Sequence, residues 1–319
     1  MEPNQKSPRN KTIDFSLEQG RNRLARCLYP TQPLALEEII DRTIVGNTFE
    51  LLHFLPLSFV DLLIVDPPYN LDKDFHGEHF SAMQAEKYKA YTRRWLEGVK
   101  PLLKQSASVY VCCDWKCSGI IGEVLAEHFT VRNRITWQRE KGRGAKKNWK
   151  NAMEDIWFAT CSSNYIFNLD AVKQRRRVIA PYRKDGQPKD WLETAEGNFR
   201  DTCPSNFWDD ISIPYWSMAE NTAHPTQKPE KLLAKLILAS SRPGDVVLDP
   251  FLGSGSTSVT AKKLGRRYVG LEQNELYCAW AEQRLEDAEK DRTIQGYSDG
   301  VFWERNSSAW RRKKNDDIL

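Results

Sequence analysis

The residues best suited to chemistry are Asp66, Pro67, Pro68, Tyr69 and Asn70, which follow directly on the apolar run Val60-Asp61-Leu62-Leu63-Ile64-Val65. The two prolines fix φ and remove two N–H donors, so the chain cannot run on as a helix, and nearby carbonyls join the Asp66 carboxylate as outward-facing acceptors. Tyr69 adds a flat stacking surface. Acceptors beside a ring suit chemistry on the exocyclic amine of a planar base. Read alone, the same five residues are equally consistent with a strand-ending turn that carries a surface tyrosine.

A second group is Asp249-Pro250-Phe251-Leu252-Gly253-Ser254-Gly255-Ser256-Thr257, again after an apolar strand and opening a helix. Gly253 and Gly255 let backbone approach a ligand closely, beside the unpaired N–H groups of a helix start. The third glycine of the dinucleotide fingerprint is absent. Glu272 ends the next strand, where a doubly wound fold places the acid that grips ribose hydroxyls. Gly253, Gly255 and Glu272 together point to an adenosine-containing ligand.

These groups need a scaffold. From Ile44 onward strands and helices alternate: strands at 60–65, 108–112, 131–137, 156–160, 245–249 and 267–271, and helices at 118–128, 229–240 and 275–289. The pattern predicts an α/β fold with a doubly wound, mostly parallel sheet. In such a sheet Asp66 and Asp249 share one rim, so their separation in sequence is no obstacle to contact. Residues 71–90 read as a mobile loop over a site. Residues 171–220, basic and rich in Pro and Trp without clear periodicity, read as an insert outside the sheet. The expected division is an amino-terminal arm at 1–35, a catalytic half at 36–170, the insert at 171–220, a cofactor-binding half at 221–292 and a carboxyl-terminal tail at 293–319, with Arg311-Arg312-Lys313-Lys314 a solvated end.

With 319 residues, 40% hydrophobic and 28% charged, the chain can bury a full core and is unlike a disordered or fibrous protein. Its polar start and the lack of any apolar run of about 18 residues argue against a secretory signal or membrane span, and place it in the cytoplasm. The seven cysteines are never spaced C-x-x-C, so buried, reduced thiols are expected and no metal site. Net charge is only +4, but its distribution is uneven. Arg132, Arg134, Arg139, Lys141, Arg143, Lys146, Lys147 and Lys150 crowd one stretch; Lys173, Arg175, Arg176, Arg177, Arg183 and Lys184 crowd another, as a phosphate-binding surface would.

Asp-Pro-Pro-Tyr-Asn at 66–70, His224-Pro225-Thr226-Gln227-Lys228-Pro229 and Asp-Pro-Phe-Leu-Gly-Ser-Gly-Ser-Thr at 249–257 resemble the motifs of the amino-group DNA methyltransferases that use S-adenosylmethionine. Their order, catalytic motif first and cofactor loop last, is that of the β class. The resemblance covers about residues 45–285 and is particular to a modification methylase acting on GAATTC. It implies the S-adenosylmethionine-dependent methyltransferase fold, with 171–220 as target-recognition insert. It also implies that Asp66 and the Pro67 carbonyl accept hydrogen bonds from the amine, with Pro68 and Tyr69 completing the catalytic motif and Tyr69 stacked on the base. Phe251, Gly253, Gly255, Ser256 and Thr257 would line the cofactor beside Asp249, Glu272 would hold its ribose, and His224, Thr226 and Lys228 would close its methionine end. Asp66 would border the cofactor as well. Gly46-Asn47 stands where the family has Gly-Asp, replacing an acidic contact by an amide. Asn151-Ala152-Met153-Glu154 departs from the family's Asn-x-His-Glu, and no residue there is given a catalytic part.

An aromatic amine is a poor nucleophile, and acceptors for both its protons favour the pyramidal nitrogen of the transition state over the flat ground state. The implied function is direct methyl transfer to adenine N6 of a flipped-out base in double-stranded DNA, within a type II restriction-modification system. The paired endonuclease would make no stable contact, and the enzyme would act as a monomer or homodimer. Asp66, where cytosine-N4 members more often carry Ser, tilts the family reading toward adenine. The alternatives are a cytosine-N4 enzyme and an RNA or protein amide methyltransferase, whose members usually place the cofactor motif first. A DNA-binding protein without catalysis fits poorly with intact Asp66, Gly253 and Glu272.

Overall fold

The computed structural model describes residues 7–139, 146–178, 182–194 and 197–305. Lys141, Arg143 and the run Arg311 to Lys314 lie outside these residues.

The centre is an eight-stranded sheet. Its strands are β1 (Arg42–Val45), β2 (Val60–Val65), β3 (Leu103–Asp114), β4 (Thr130–Gln138), β5 (Met153–Thr160), β6 (Phe207–Trp208), β7 (Val246–Asp249) and β8 (Arg267–Glu272), in the spatial order β1-β8-β7-β2-β3-β5-β4-β6. All pairings are parallel except those of β5 with its two neighbours. The central strands read as unbroken apolar runs because both faces are covered: in β2 every residue but Asp61 is buried. Helices α1 (Ala85–Val99) and α2 (Ser118–His128) contribute to the core on one face, through Trp95, Leu96, Ile121 and Leu125. Helices α3 (Glu230–Ser240) and α4 (Ser256–Lys263) contribute to the other, through Leu232, Leu236 and Val259. Helix α5 (Glu275–Lys290) follows β8.

The order reverses between β7 and β2. From β2 the chain moves to β3 on one side, and from β7 to β8 on the other. A crevice opens at such a switch point, beyond the carboxyl ends of the strands. Asp66 directly follows β2, and Asp249 ends the adjoining β7.

Residues 171–220 are more ordered than their composition suggests. Gln174–Arg177, Gly197–Thr202 and Leu192–Thr194 belong to a second, five-stranded sheet, and Phe207–Trp208 adds an edge to the main sheet. The stretch read as a tail supplies the other two strands, Tyr297–Ser298 and Val301–Trp303, the latter pairing in parallel with Gln174–Arg177. Helix α3 lies between the two sheets, with Leu232 and Leu236 toward one and Ala234 and Leu238 toward Val172 and Phe302. Its Lys231 and Lys235 are buried on Asp210, at 2.7 and 2.8 Å, which ties the insert to the core. The amino-terminal arm is also attached: Ile13 bridges Thr222, and Leu28 bridges Ile44. Residues 71–90 hold a hairpin, Lys73–Phe75 against Glu78–Phe80, turning at His76 and Gly77 with positive φ at both, as a tight two-residue turn requires.

Candidate active site

A cavity of about 460 Å³ occupies the switch point, within the range of small-molecule sites. Asp66, Pro67, Pro68 and Tyr69 form one part of its wall; Asp249, Phe251, Gly253, Ser256, Thr257 and Glu272 form another; Asn47, His224, Thr226 and Lys228 also line it. Fourteen of the sixteen candidate site residues singled out from sequence therefore converge on one space. Gly46 and Gly255 do not border it.

Each wall is fixed by local chemistry. After β2 the prolines end the ladder, and Asn70 clamps the chain by bonding both the Met83 carbonyl (2.8 Å) and its N–H (2.6 Å). The hairpin between these anchors brings Lys73, Phe75, His79 and Phe80 to the cavity. Its tip is held where His76 Nδ1 meets the Tyr277 hydroxyl at 2.7 Å.

On the other wall, Asp249 accepts from the Phe251 N–H at 3.0 Å and the Thr257 hydroxyl at 2.6 Å, which folds the loop back onto its own strand. Glu272 accepts from the Gly253 N–H at 2.8 Å and the Asn274 N–H at 2.9 Å. Gly253 has φ +56, and a Cβ there would come 3.1 Å from His224 Nε2, so its missing side chain leaves open the space between loop and histidine. Gly255 has another task. It caps α4 at φ +87, and a Cβ would stand 2.6 Å from that of Ala281, so the glycine permits helix packing. Gly46 donates to the Glu272 carbonyl at 2.9 Å, and a Cβ there would press on Leu51. Asn47 caps a short helical turn through the Phe49 N–H and bonds Gln273 at 3.0 Å, so its amide is engaged on the protein side.

Electrostatics divide the site. Burial pushes the Asp249 carboxyl up to about 7, with the Thr257 and Phe251 hydrogen bonds opposing. Burial and the nearby Lys228 push His224 down to about 3, so its ring is neutral, and Nδ1 accepts from the Thr226 N–H at 3.3 Å. Asp66 is also raised by burial, against the pull of Lys228. Burial alone would lower Lys228, but Asp66 and Glu154 outweigh it and hold the ammonium protonated. Lys228 donates to Asp66 Oδ2 at 2.7 Å and to the Tyr69 hydroxyl at 3.0 Å, while Tyr69 donates to Asp66 Oδ1 at 2.9 Å. Lys228 thus meets the segment Asp66 to Tyr69.

Glu154, given no part from sequence, sits 3.3 Å from Lys228 and is 2% exposed. The available signal was its place in Met153-Glu154-Asp155-Ile156, where two acids open an otherwise apolar strand. Its partner Arg139, counted above among phosphate-binding cations, is drawn inward by Glu154. Arg175 is likewise held by Asp201 in a two-pronged pair at 2.8 Å, and Lys173 by Asp170 at 2.8 Å, whereas Lys146, Lys147 and Lys150 are exposed. All seven cysteines are free thiols, and Cys112 lines the cavity.

A doubly wound sheet with one antiparallel strand, an acid at each strand end of the switch point and a glycine loop opening a helix defines a methyltransferase of the S-adenosylmethionine-dependent kind. Solved structures share the fold. PvuII DNA methyltransferase, described as cytosine-N4-specific, is similar with a TM-score of 0.56 at 16% identity over 79% of this chain and 92% of that one. The M1.HpyAVI–SAM complex gives a TM-score of 0.52 at 22% identity over 76% and 98%. The model of the N6/N4 DNA methylase family matches residues 60–283, and the chain belongs to that family. Two relatives are similar in sequence: Type II methyltransferase M.HpaI of Haemophilus parainfluenzae, 33% identical over 77% of this chain and 74% of that protein, and DNA adenine methyltransferase YhdJ of Escherichia coli strain K12, 34% identical over 77% and 83%. The chain is a DNA methyltransferase with S-adenosylmethionine as methyl donor. Among the described residues no helix is long and apolar enough to cross a membrane.

Proposed function

We propose that this enzyme methylates adenine N6 at a specific site in double-stranded DNA, as the modification partner of a type II restriction system. The observation that carries the reading is the convergence of Asp66 with Gly253 and Glu272 on one cavity at the switch point. The residues present fit the cofactor: Gly253 leaves a gap that a Cβ would close, and apolar Phe251 and Leu271 border it beside the Glu272 carboxylate. Bound there, S-adenosylmethionine supplies a methyl group activated on a sulfonium. Phe251, Gly253, Ser256 and Thr257 would hold its length, Glu272 its ribose, and His224 and Thr226 its methionine end; Asp249 shapes this loop, Asn47 borders the cavity, and Gly46 and Gly255 act from behind the wall.

Asp66 and the Pro67 carbonyl accept hydrogen bonds from the two amine N–H groups and stabilise the pyramidal nitrogen as it gains positive charge. Pro68 and Tyr69 keep these acceptors in place, and the ring of Tyr69 replaces stacking lost on flipping, worth about 1–3 kcal/mol. No cysteine takes part. Adenine is favoured by the carboxylate at position 66 and by the similarity to a protein named a DNA adenine methyltransferase. Cytosine N4 is the second reading, since the family spans both amines.

The exposed Lys146, Lys147 and Lys150 would contact phosphates, and the second sheet would read bases. GAATTC is the proposed target, the cytoplasm the place of action, and a monomer or homodimer the working form, with the endonuclease acting separately. The test is transfer of labelled methyl from S-adenosylmethionine to duplex DNA, followed by mapping of modified bases. N6-methyladenine within GAATTC is expected. Label on cytosine N4 selects the second reading, another sequence removes the target, and label confined to RNA or protein overturns the proposal.

A further inference from the structure

The cluster around Asp66 holds groups that the reaction above leaves without a task. Lys228 stands between two carboxylates, 2.7 Å from Asp66 and 3.3 Å from Glu154. Glu154 turns its other oxygen to Arg139. Two acids and two cations balance, which is what lets them be buried together. In the free protein, then, the acceptor that the target amine needs already carries an ammonium. That ammonium opposes methyl transfer if it stays, because the amine nitrogen gains positive charge in the transition state and like charges repel strongly away from bulk water. Nor can it withdraw into apolar surroundings without a counter-charge. Glu154 is such a counter-charge, already near contact and kept in place by Arg139.

We propose that Lys228 is an internal occupant of the amine site and that Glu154 is a positioning residue, receiving Lys228 when the target amine takes its place on Asp66. The exchange needs a shift of well under a side-chain length, since a 3.3 Å approach need only shorten to a full ion pair. Tyr69 bridges both positions: its hydroxyl lies 2.9 Å from Asp66 and 3.3 Å from Glu154. It can keep one partner while the lysine changes the other.

The proposal rests on methylation of adenine in duplex DNA, so the wild-type enzyme is assayed first. Without transfer to DNA, both readings fall. With transfer, Glu154→Gln is expected to lower kcat by about 10–100-fold while leaving the KM for cofactor within about twofold, since the lysine loses its second seat but the cofactor wall is untouched. Adding Lys228→Met to Glu154→Gln is expected to raise kcat at least about fivefold over the single variant, because no ammonium is left to move. A fixed structural ion pair predicts the opposite, a double variant no better than Glu154→Gln, and that result overturns the hand-over alone. Should Glu154→Gln fail to fold, Lys228→Met decides by itself on DNA with 2-aminopurine beside the mapped target adenine. Fluorescence from unstacking is expected to exceed wild type by about twofold or more, since the amine's acceptor is vacated. Equal or lower fluorescence overturns the proposal.

Discussion

Asp66 and Asp249 invite comparison: the same residue, at the ends of adjoining parallel strands, on one rim. Asp66 shares its oxygens with a lysine and a tyrosine hydroxyl, so it sits among full charges. Asp249 is bound by a backbone N–H and the Thr257 hydroxyl, and burial pushes it up to about 7. On the proposed reading one aspartate is the acceptor for an arriving amine; the other fastens a loop. Position and residue type are shared, and the partners decide the task.

The largest expected effect is at Asp66. Asp66→Ala should reduce methyl transfer by about 10²–10³-fold, comparable to loss of a transition-state hydrogen bond, while cofactor affinity measured by calorimetry stays within about twofold. Near wild-type transfer would end the distinction between the two acids. The two glycines of the Asp249 loop come next. Gly255→Ala forces a contact with Ala281 at positive φ and should cost about 1–3 kcal/mol in thermal or denaturant unfolding. Gly253→Ala should be milder for folding and weaken cofactor binding about tenfold, as its Cβ narrows the gap to His224. Equal effects on both measurements would merge the roles of loop and site.

A third contrast is with pH. The folded value of Asp249 lies near 7 against an ordinary 3.8, so the native state holds this proton more tightly than the unfolded chain. Its contribution is full below about pH 4 and is lost as pH rises through about 7. The melting temperature of the wild type minus that of Asp249→Asn should fall across this window. Asparagine can still accept from Phe251 and donate to Thr257, so a flat difference would show that Asp249 is ionised throughout. The smallest effect concerns the surface: Lys146→Ala should weaken DNA binding similarly for all sequences and reduce the log–log salt slope by about 1.

The centre of the main sheet was legible because strands such as β2 and β7 are apolar runs between turn residues, and β2 and α2 lie where the pattern places them. The convergence of Asp66 and Asp249 followed from parallel topology alone. The second sheet was not legible. Its strands are short and half-exposed, so they lack a two-residue alternation, and Val301–Trp303 finds its partner at Gln174–Arg177, far away in sequence. The Lys228–Glu154 contact was hidden for a related reason: a charged side chain does not announce its partner, and one short helical turn and several strands separate these residues. Gly255 and Gly253 look alike in sequence and differ only in what lies beside them, Ala281 for one and His224 for the other.

The pairing of Val301–Trp303 with Gln174–Arg177 bears on any attempt to test the proposed recognition role of residues 171–220 by exchange between related enzymes. A graft of residues 171–220 alone would arrive with an open edge, its backbone N–H and C=O groups bare where the carboxyl-terminal strand belongs, and such an edge recruits neighbouring chains. The transplantable unit is therefore two separate pieces of gene, joined only after folding, and a chimera built from one of them should aggregate before its specificity can be asked about.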